Sequence, residues 1–351
     1  MKILYIAAVS NQISGGTSVM NRNLQILQSV PNADVVDIRV KMQSKINALI
    51  AAFTGGNFIL SRKDERMILK KVQEEHFDYV FQEGTSSGHL AKQLHRLGTK
   101  LIVFAHNVET MLYEERLSSY RFNPIETIKF WSIKRNEKKS VRHCYKLVTL
   151  TSRDSDNFLK KFERKADAII PISFASAIKE PICAENQEER FCLFVGSNFF
   201  PNVEGMNWFI KNVVPFINMK VKVVGSCCNG LAPIPEFLND KVEYLGLVDD
   251  LSSFYQHATI VIAPIFKGSG MKTKTVEAMS YGKTIIGTNE CFQGIECDYS
   301  KIGGLCNTAE EFIVAINNHD GYKHNKYTAD LFESYFSNKA VQPLFKALFE
   351  Y

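Results

Sequence analysis

The sequence predicts an α/β protein made of two doubly wound, Rossmann-like domains, and three observations carry that prediction. Its 351 residues exceed one typical domain of about 100 to 200 residues. Short apolar runs rich in β-branched residues recur with helical segments between them, which is the βαβ rhythm of a parallel sheet. Hydrophobic residues make up 45% and charged residues 23%, ordinary globular usage that excludes a disordered, collagen-like or coiled-coil chain.

The first series of runs is KILYIAAV (2–9), ADVVDI (33–38), FDYVFQ (77–82), KLIVFA (100–105), KLVTL (146–150) and DAIIPI (167–172). The second is RFCLFVG (190–196), MKVKVVG (219–225), KVEYLG (241–246), ATIVIAP (258–264), KTIIGT (283–288) and IGGLCN (302–307). Between them ASAIKEPICAENQEER (175–190) is polar, holds a proline and lacks periodicity, so it reads as the linker. The expected domains are therefore residues 1–173 and 190–334. In residues 335–351, a helix-starting Ser337 precedes Val341, Leu344, Phe345 and Leu348 at helical spacing, an amphipathic helix expected to pack back on the first domain. Ligands of open α/β sheets bind at the carboxyl ends of strands, near the switch in strand order. Two facing sheets are thus expected to line a cleft with the loops after Val9, Ala105, Val195, Pro264 and Gly287.

The eight cysteines form no CxxC pair, and MKILYIAAVS runs into a glycine loop without a signal-peptide cleavage pattern, so a reducing cytoplasm is expected. The longest charge-free stretch, Ile46 to Ser61, has 16 residues against the roughly 20 that span a bilayer. Charge is uneven: residues 1–180 hold 28 Lys+Arg against 18 Asp+Glu, and the rest 14 against 19. The basic half is expected to meet an anionic surface or substrate. ETIKFWSIKRNEKKSVRHCYK (126–146) concentrates seven basic residues with Phe130 and Trp131. It is read as docking on an anionic membrane surface at the inner face, with INALIAAF beside it; a solvated charged helix is the alternative. Nucleic acid is not an expected partner, since no recognition motif appears.

The passage FKGSGMKTKTVEAMSYGKTIIG (266–287) carries the most chemistry. A strand ending at Pro264 leads into a glycine loop with Lys267, then a helix bearing Lys272, Lys274 and Glu277. Backbone N–H groups and the dipole at a helix start attract anions, and glycines let a phosphate approach closely, so this reads as a diphosphate cradle. It is neither a Walker loop nor a dinucleotide fingerprint. Glu277, about one turn into the helix, is placed to accept hydrogen bonds from ribose hydroxyls. His106 follows the strand KLIVFA, a functional place on a sheet. Asp154, Ser155 and Asp156 look like a D-x-D metal site but fall at a helix start, where such residues cap free N–H groups; no metal or other cofactor is expected.

With SGGTSVMNRN near the start, AHNVE (105–109), LFVGSNFFPNVEGMNWF (193–209), YLGLVDDLSSFYQHATIVIAP (244–264) and GSGMKTKTVEAMSYGKTIIGT (268–288), the chain resembles the retaining GT-B glycosyltransferases of group 1. That resemblance spans nearly the whole chain. It implies a nucleotide-sugar donor, with Glu277 on the ribose and Gly268, Ser269, Gly270, Met271, Lys272 and Thr273 around the diphosphate. It further implies that Val248 reads the base partly through backbone groups, that Gly15 and Gly16 form the first glycine loop against the donor phosphates, and that His106 lies near the transferred sugar. Many relatives carry a Glu where this chain has Ser269, and an Arg and a Lys near Ser197, Asn198 and Asn202. Positive charge on the phosphates is therefore expected from Lys272, helped by Lys267 or Lys274, with Asn198 still at the donor. His106, Lys272 and Glu277 are the expected catalytic set, and a glycan or lipid-linked hydroxyl the expected acceptor. A GT-B nucleotide-sugar epimerase, a non-catalytic partner subunit and, more distantly, a nicotinamide-dependent reductase are the alternatives.

Overall fold

The computed structural model describes residues 1–9, 15–53, 56, 59–118, 123–178 and 190–349, with only the backbone of Gly15 and Lys45. Most of the linker read at 175–190, and the residues before Gly15 in the first glycine loop, lie outside these. Contacts divide the chain into two compact units. The first comprises Met1–Pro171, Ser269–Met271 and the chain from Gln342 onward; the second comprises Ile172–Gly268 and Lys272–Val341.

In the first unit, strands and helices alternate: β1 (Lys2–Val9), α1 (Gly15–Gln28), β2 (Asp34–Lys41), α2 (Lys45–Phe53), α3 (Arg62–Glu74), β3 (Tyr79–Glu83), α4 (Gly88–Arg96), β4 (Leu101–Ala105), α5 (Glu109–Ser118), α6 (Pro124–His143), β5 (Lys146–Thr149), α7 (Ser152–Phe162) and β6 (Ala168–Ile169). The six strands form a parallel sheet in the order β2-β1-β3-β4-β5-β6. Its inner strands are mostly apolar because helices cover both faces, so Leu4, Val80, Val103 and Leu147 are fully buried with Leu90 and Leu94 of α4 and Phe158 of α7. The run DAIIPI shortens to two paired residues; Pro171, which has no N–H to give a ladder, follows soon after.

The second unit repeats the pattern with β7 (Phe191–Val195), α8 (Phe200–Asn212), β8 (Lys220–Val224), β9 (Val242–Gly246), α9 (Ser252–His257), β10 (Ile260–Ala263), α10 (Thr273–Ser280), β11 (Thr284–Gly287), α11 (Tyr299–Ile302), β12 (Gly303–Leu305), α12 (Ala309–Asn317) and α13 (Lys326–Tyr335). Its parallel sheet runs β12-β11-β10-β7-β8-β9, so the strand order reverses between β7 and β10. All twelve strands fall within a residue or a few of the runs read from sequence.

The last helix, α14 (Asn338–Ala347), begins in the second unit and ends in the first. Ser337 Oγ accepts from Ala340 N at 3.2 Å, a helix-start cap. Val341, Phe345 and Leu348 are buried, whereas Leu344, read as part of the same apolar face, is 42% exposed. Phe345 stacks within the first unit on Phe81 and Phe104, with centroids 6.3 and 6.0 Å away.

Local chemistry explains where elements begin. Asn123 caps α6 by accepting from Ile125 N and Glu126 N, with Pro124 preset for the first turn. Thr151 caps α7 by accepting from Asp154 N, and its hydroxyl donates to Asp154 Oδ2 at 2.7 Å, so Asp154 serves the helix start. Helices α4 and α6 touch through Gly88, where a Cβ would lie 1.9 Å from the Asn136 carbonyl oxygen. Gly88→Ala is expected to push the pair apart at a cost of about 1 to 3 kcal/mol, the range for an overfilled interior. A urea denaturation midpoint equal to that of the parent protein would count against this packing.

Candidate functional site

At the carboxyl end of the first sheet, Glu83 closes β3 next to the β1–β3 reversal, and His106 follows β4. The Glu83 side chain is fully buried, and its Oε2 lies 2.5 Å from His106 Nε2. Its Oε1 accepts from Tyr5 Oη and from Asn23 Nδ2, both at 2.9 Å. With Glu83 as a carboxylate, which only accepts, Nε2 carries the hydrogen of this bond. Phe104 fixes the ring further by an edge contact at 5.7 Å. Sequence reading placed His106 here but stopped the β3 run at Gln82 and so missed Glu83; an acid ending an apolar strand was the available signal.

The segment after His106 is held by a second buried carboxylate. Glu137 of α6 accepts from Thr85 Oγ1, Glu109 N and Thr110 N at 2.9, 2.9 and 2.7 Å, which caps α5 from another helix. Burial outweighs these bonds and pushes the Glu137 carboxyl up to about 7; Glu109, also buried, is raised too. Ser269–Met271 belongs to this unit as well: Ser269 Oγ accepts from Val108 N at 3.3 Å, and a Cβ on Gly270 would lie 2.5 Å from the His106 carbonyl oxygen. Gly15 and Gly16 are not loop residues; both start α1.

In the second unit the reversal between β7 and β10 marks the expected ligand end of the sheet. The segment after β10 reaches α10 through Gly268 and Gly270, whose φ values of +129° and +68° suit glycine. The N-cap of α10 is Lys272, whose side chain gives no cap, so the first N–H groups of the helix have no side-chain acceptor there. Lys272 Nζ instead pairs with Glu290 Oε1 at 2.6 Å, the two side chains being 13% and 14% exposed. Glu277 is largely buried and accepts from Tyr255 Oη at 3.0 Å, and burial raises its carboxyl above the ordinary value. Tyr255 is itself fully buried and stacked on Tyr281 at 4.9 Å. Thr273 opens α10. Asn198, exposed after β7, donates its N–H to Ser226 Oγ at 2.9 Å, and Val248 lies half-buried just beyond β9.

Two lysines expected to help Lys272 are otherwise engaged. Lys267 pairs with Glu204 at 3.0 Å in the open. Lys274 faces inward, where its ammonium donates to Asn202 and sits 4.2 Å from the Phe194 ring centre; burial pushes it down to about 7. Among the described residues no cluster of three His, Cys, Asp or Glu side chains could hold a metal ion. The basic segment also differs from its reading. Phe130 is buried, and α6 turns Ser132, Ile133, Asn136 and Glu137 inward, leaving Trp131 as the exposed aromatic. Arg135 donates to Ala52 O at 3.0 Å, tying α6 to α2, where Ile46, Ile50 and Phe53 are exposed.

Known proteins share this two-domain α/β fold, and one family model matches part of the chain. Residues 189–318, which contain the whole second sheet, match the model of the glycosyl transferases group 1 family. An uncharacterized 44.6 kDa protein in the cps region of Klebsiella pneumoniae is 25% identical over 173 residues, 44% of this chain and 45% of that protein, so the match spans under half of the curated relative's length. Sucrose-phosphate synthase from Thermosynechococcus elongatus superposes with a TM-score of 0.72 at 13% identity, over 99% of this chain and 98% of that one. Anabaena Alr3699/HepE in complex with UDP-glucose gives 0.69 at 12%, over 99% of each. WaaG, a glycosyltransferase involved in lipopolysaccharide biosynthesis, gives 0.66 at 14%, over 98% of each. The match over residues 189–318 and the shared fold bear out the resemblance to GT-B glycosyltransferases of group 1. Among the described residues no helix is long and apolar enough to cross a membrane.

The raised Glu137 carboxyl has a consequence for stability. The folded protein holds a proton that the unfolded chain releases near its ordinary value, so this stabilisation is full below about pH 4.5 and is lost as pH rises through about 7. The urea midpoint is expected to fall between about pH 5 and pH 8, and the fall to shrink in Glu137→Gln. Equal slopes in the two proteins would contradict the assignment.

Proposed function

We propose that the protein is a retaining glycosyltransferase. It moves a sugar from a nucleotide-diphosphate donor to a hydroxyl of a glycan or lipid-linked acceptor, in the synthesis of surface polysaccharide or glycoconjugate. One observation carries this reading: at the switch point of the second sheet, a positive-φ glycine segment delivers the chain to a helix whose first N–H groups lack a side-chain cap, with Lys272 at that start and Glu277 one turn in. The HepE complex with UDP-glucose, in a protein of the same fold, supports a uridine donor as the first to test.

In this reading the α10 start and Lys272 take the diphosphate. Lys272, held beside Glu290 at the start of the helix, is the cation of this reading. Glu277, oriented by Tyr255, takes the ribose hydroxyls. Asn198, after β7, and Val248, after β9, complete the donor's surroundings, with Gly15 and Gly16 at the start of α1 as a further phosphate contact. Catalysis is then mainly electrostatic and positional, stabilising the departing diphosphate and the oxocarbenium-like charge. For retention, a donor phosphate oxygen takes the acceptor's proton, and His106, held by Glu83, hydrogen-bonds the transferred sugar. No metal enters this scheme.

At a hundredfold excess over its Kd, UDP should stabilise the folded protein by about 2.7 kcal/mol. Lys272→Ala and Glu277→Ala should each weaken UDP binding by about 1.5 to 3 kcal/mol, the worth of a hydrogen bond to a charged group. Calorimetric titration checks this; unchanged affinity in both variants, or no heat with UDP, GDP or ADP sugars, would remove the donor site. Release of free UDP only with acceptor present separates transfer from epimerisation and from a non-catalytic role.

We also assign the α2–α6 face to an anionic membrane surface. Ile46, Ile50, Phe53 and Trp131 supply exposed apolar groups, and Lys138 and Arg142 exposed charge. Trp131→Ala combined with Lys138→Ala is expected to lower the fraction sedimenting with phosphatidylglycerol vesicles, each basic residue contributing about 1 kcal/mol. Equal sedimentation of variant and parent would dismiss this face.

A further inference from the structure

A pocket of about 290 Å³ opens on the second unit beside α8 and the segment after β10, apart from the α10 start. Its walls follow from one close approach. Gly205 lies against Pro264, where a Cβ would come within 1.9 Å of the carbonyl oxygen, so α8 sits directly on the strand-end segment. Three residues along the helix, Trp208 then meets Phe266, two residues past Pro264. Their ring centres are 4.6 Å apart at an interplanar angle of 75°, so the two rings form a corner. Trp208 is braced from behind by Phe312 of α12, 6.0 Å away, while Phe266 is 41% exposed. The corner is rigid but open, unlike a core aromatic pair.

Polar groups ring this corner. Glu204 and Lys267 form an open ion pair at 3.0 Å, and Asn307 completes the lining. Asn307 Oδ1 is fixed by accepting from Asn289 N at 3.1 Å, which leaves its NH₂ group as a donor. Neither that NH₂ group nor the Trp208 indole N–H has a hydrogen-bond partner among the described residues. The pocket thus offers apolar ring surface, one acceptor carboxylate and several donors, with the two opposite charges cancelling. A phosphate would meet the Glu204 carboxylate, an organic cation would meet Lys267, and an acyl chain would leave the donors unused. A sugar ring fits each part: its C–H face lies on an aromatic wall and its hydroxyls both donate to Glu204 and accept from Lys267, Asn307 and the indole. The volume, at the low end for small-molecule pockets, suits one ring.

We propose that this pocket binds a pyranose unit of a glycan, as a carbohydrate site separate from the donor's and independent of the donor reading. The chain has two tryptophans, so Trp131→Phe leaves Trp208 as the one indole reporter. The probes are the methyl glycosides of glucose, galactose, mannose and N-acetylglucosamine, and their β-1,4 disaccharides, titrated into the full-length protein. At least one is expected to give a saturable change in Trp208 emission with a millimolar midpoint. That midpoint should stay the same in Glu277→Ala and rise tenfold or more in Phe266→Ala and in Glu204→Gln, both at exposed positions, with thermal melts equal to the parent's. No saturable change with any probe, or an equal midpoint in Phe266→Ala, overturns the proposal. UDP binding is read separately, so loss of the donor reading leaves this result standing and the reverse also holds.

Discussion

A buried carboxylate, Glu83, organises the functional end of the first unit. Taking an anion out of water is costly unless hydrogen bonds replace the solvent, and Glu83 gets them from β1 through Tyr5, from α1 through Asn23 and from the segment after β4 through His106. Three elements that meet only in the folded state thereby converge on two oxygen atoms. The same bonds that satisfy the anion also select the hydrogen-bearing nitrogen of His106, so stabilising the fold and preparing the imidazole are one interaction.

The second unit solves the opposite problem. In the proposed donor reading its site end presents positive charge, with helix geometry more than with side chains. The α10 start lacks a side-chain cap, the glycines before it take φ values that side chains resist, and Lys272 pairs with Glu290. Glu277 is oriented in the same economical way, by one tyrosine hydroxyl whose ring is locked in a stack. Relatives that place an Arg and a Lys after the first strand of this domain put charge where this chain has Asn198 and Asn202. Asn202 instead accepts from Lys274, which draws that lysine inward.

The fold was legible because its signals are local. Apolar β-branched runs mark strands wherever both sheet faces are covered, and all twelve runs became strands. The position of His106, Lys272 and Glu277 at strand or helix ends was legible for the same reason. Their partners were not. Glu83, Tyr255 and Glu290 lie 23, 22 and 18 residues from the side chains they hold, and nothing in the intervening chain signals the pairing. Phe130 misled for a different reason: a basic run suggests a wet helix, but α6 spends its apolar and small residues on α4, α5 and α2 and keeps charge on the remaining face.

Buried lysines show why satisfaction, more than burial, separates structural from functional charge. Lys283 is 3% exposed and donates to three backbone carbonyls, those of Gln256, Ala258 and Lys323, which uses every donor an ammonium has. It ties loops together and has no capacity for a ligand. Lys274 has a single oxygen partner and a ring face, so burial lowers its affinity for the proton more, to about 7 against about 8 for Lys283. Facing Phe194 and Asn202, Lys274 serves the packing of α10 against β7. Lys272, at the N-cap of α10, pairs instead with the Glu290 carboxylate.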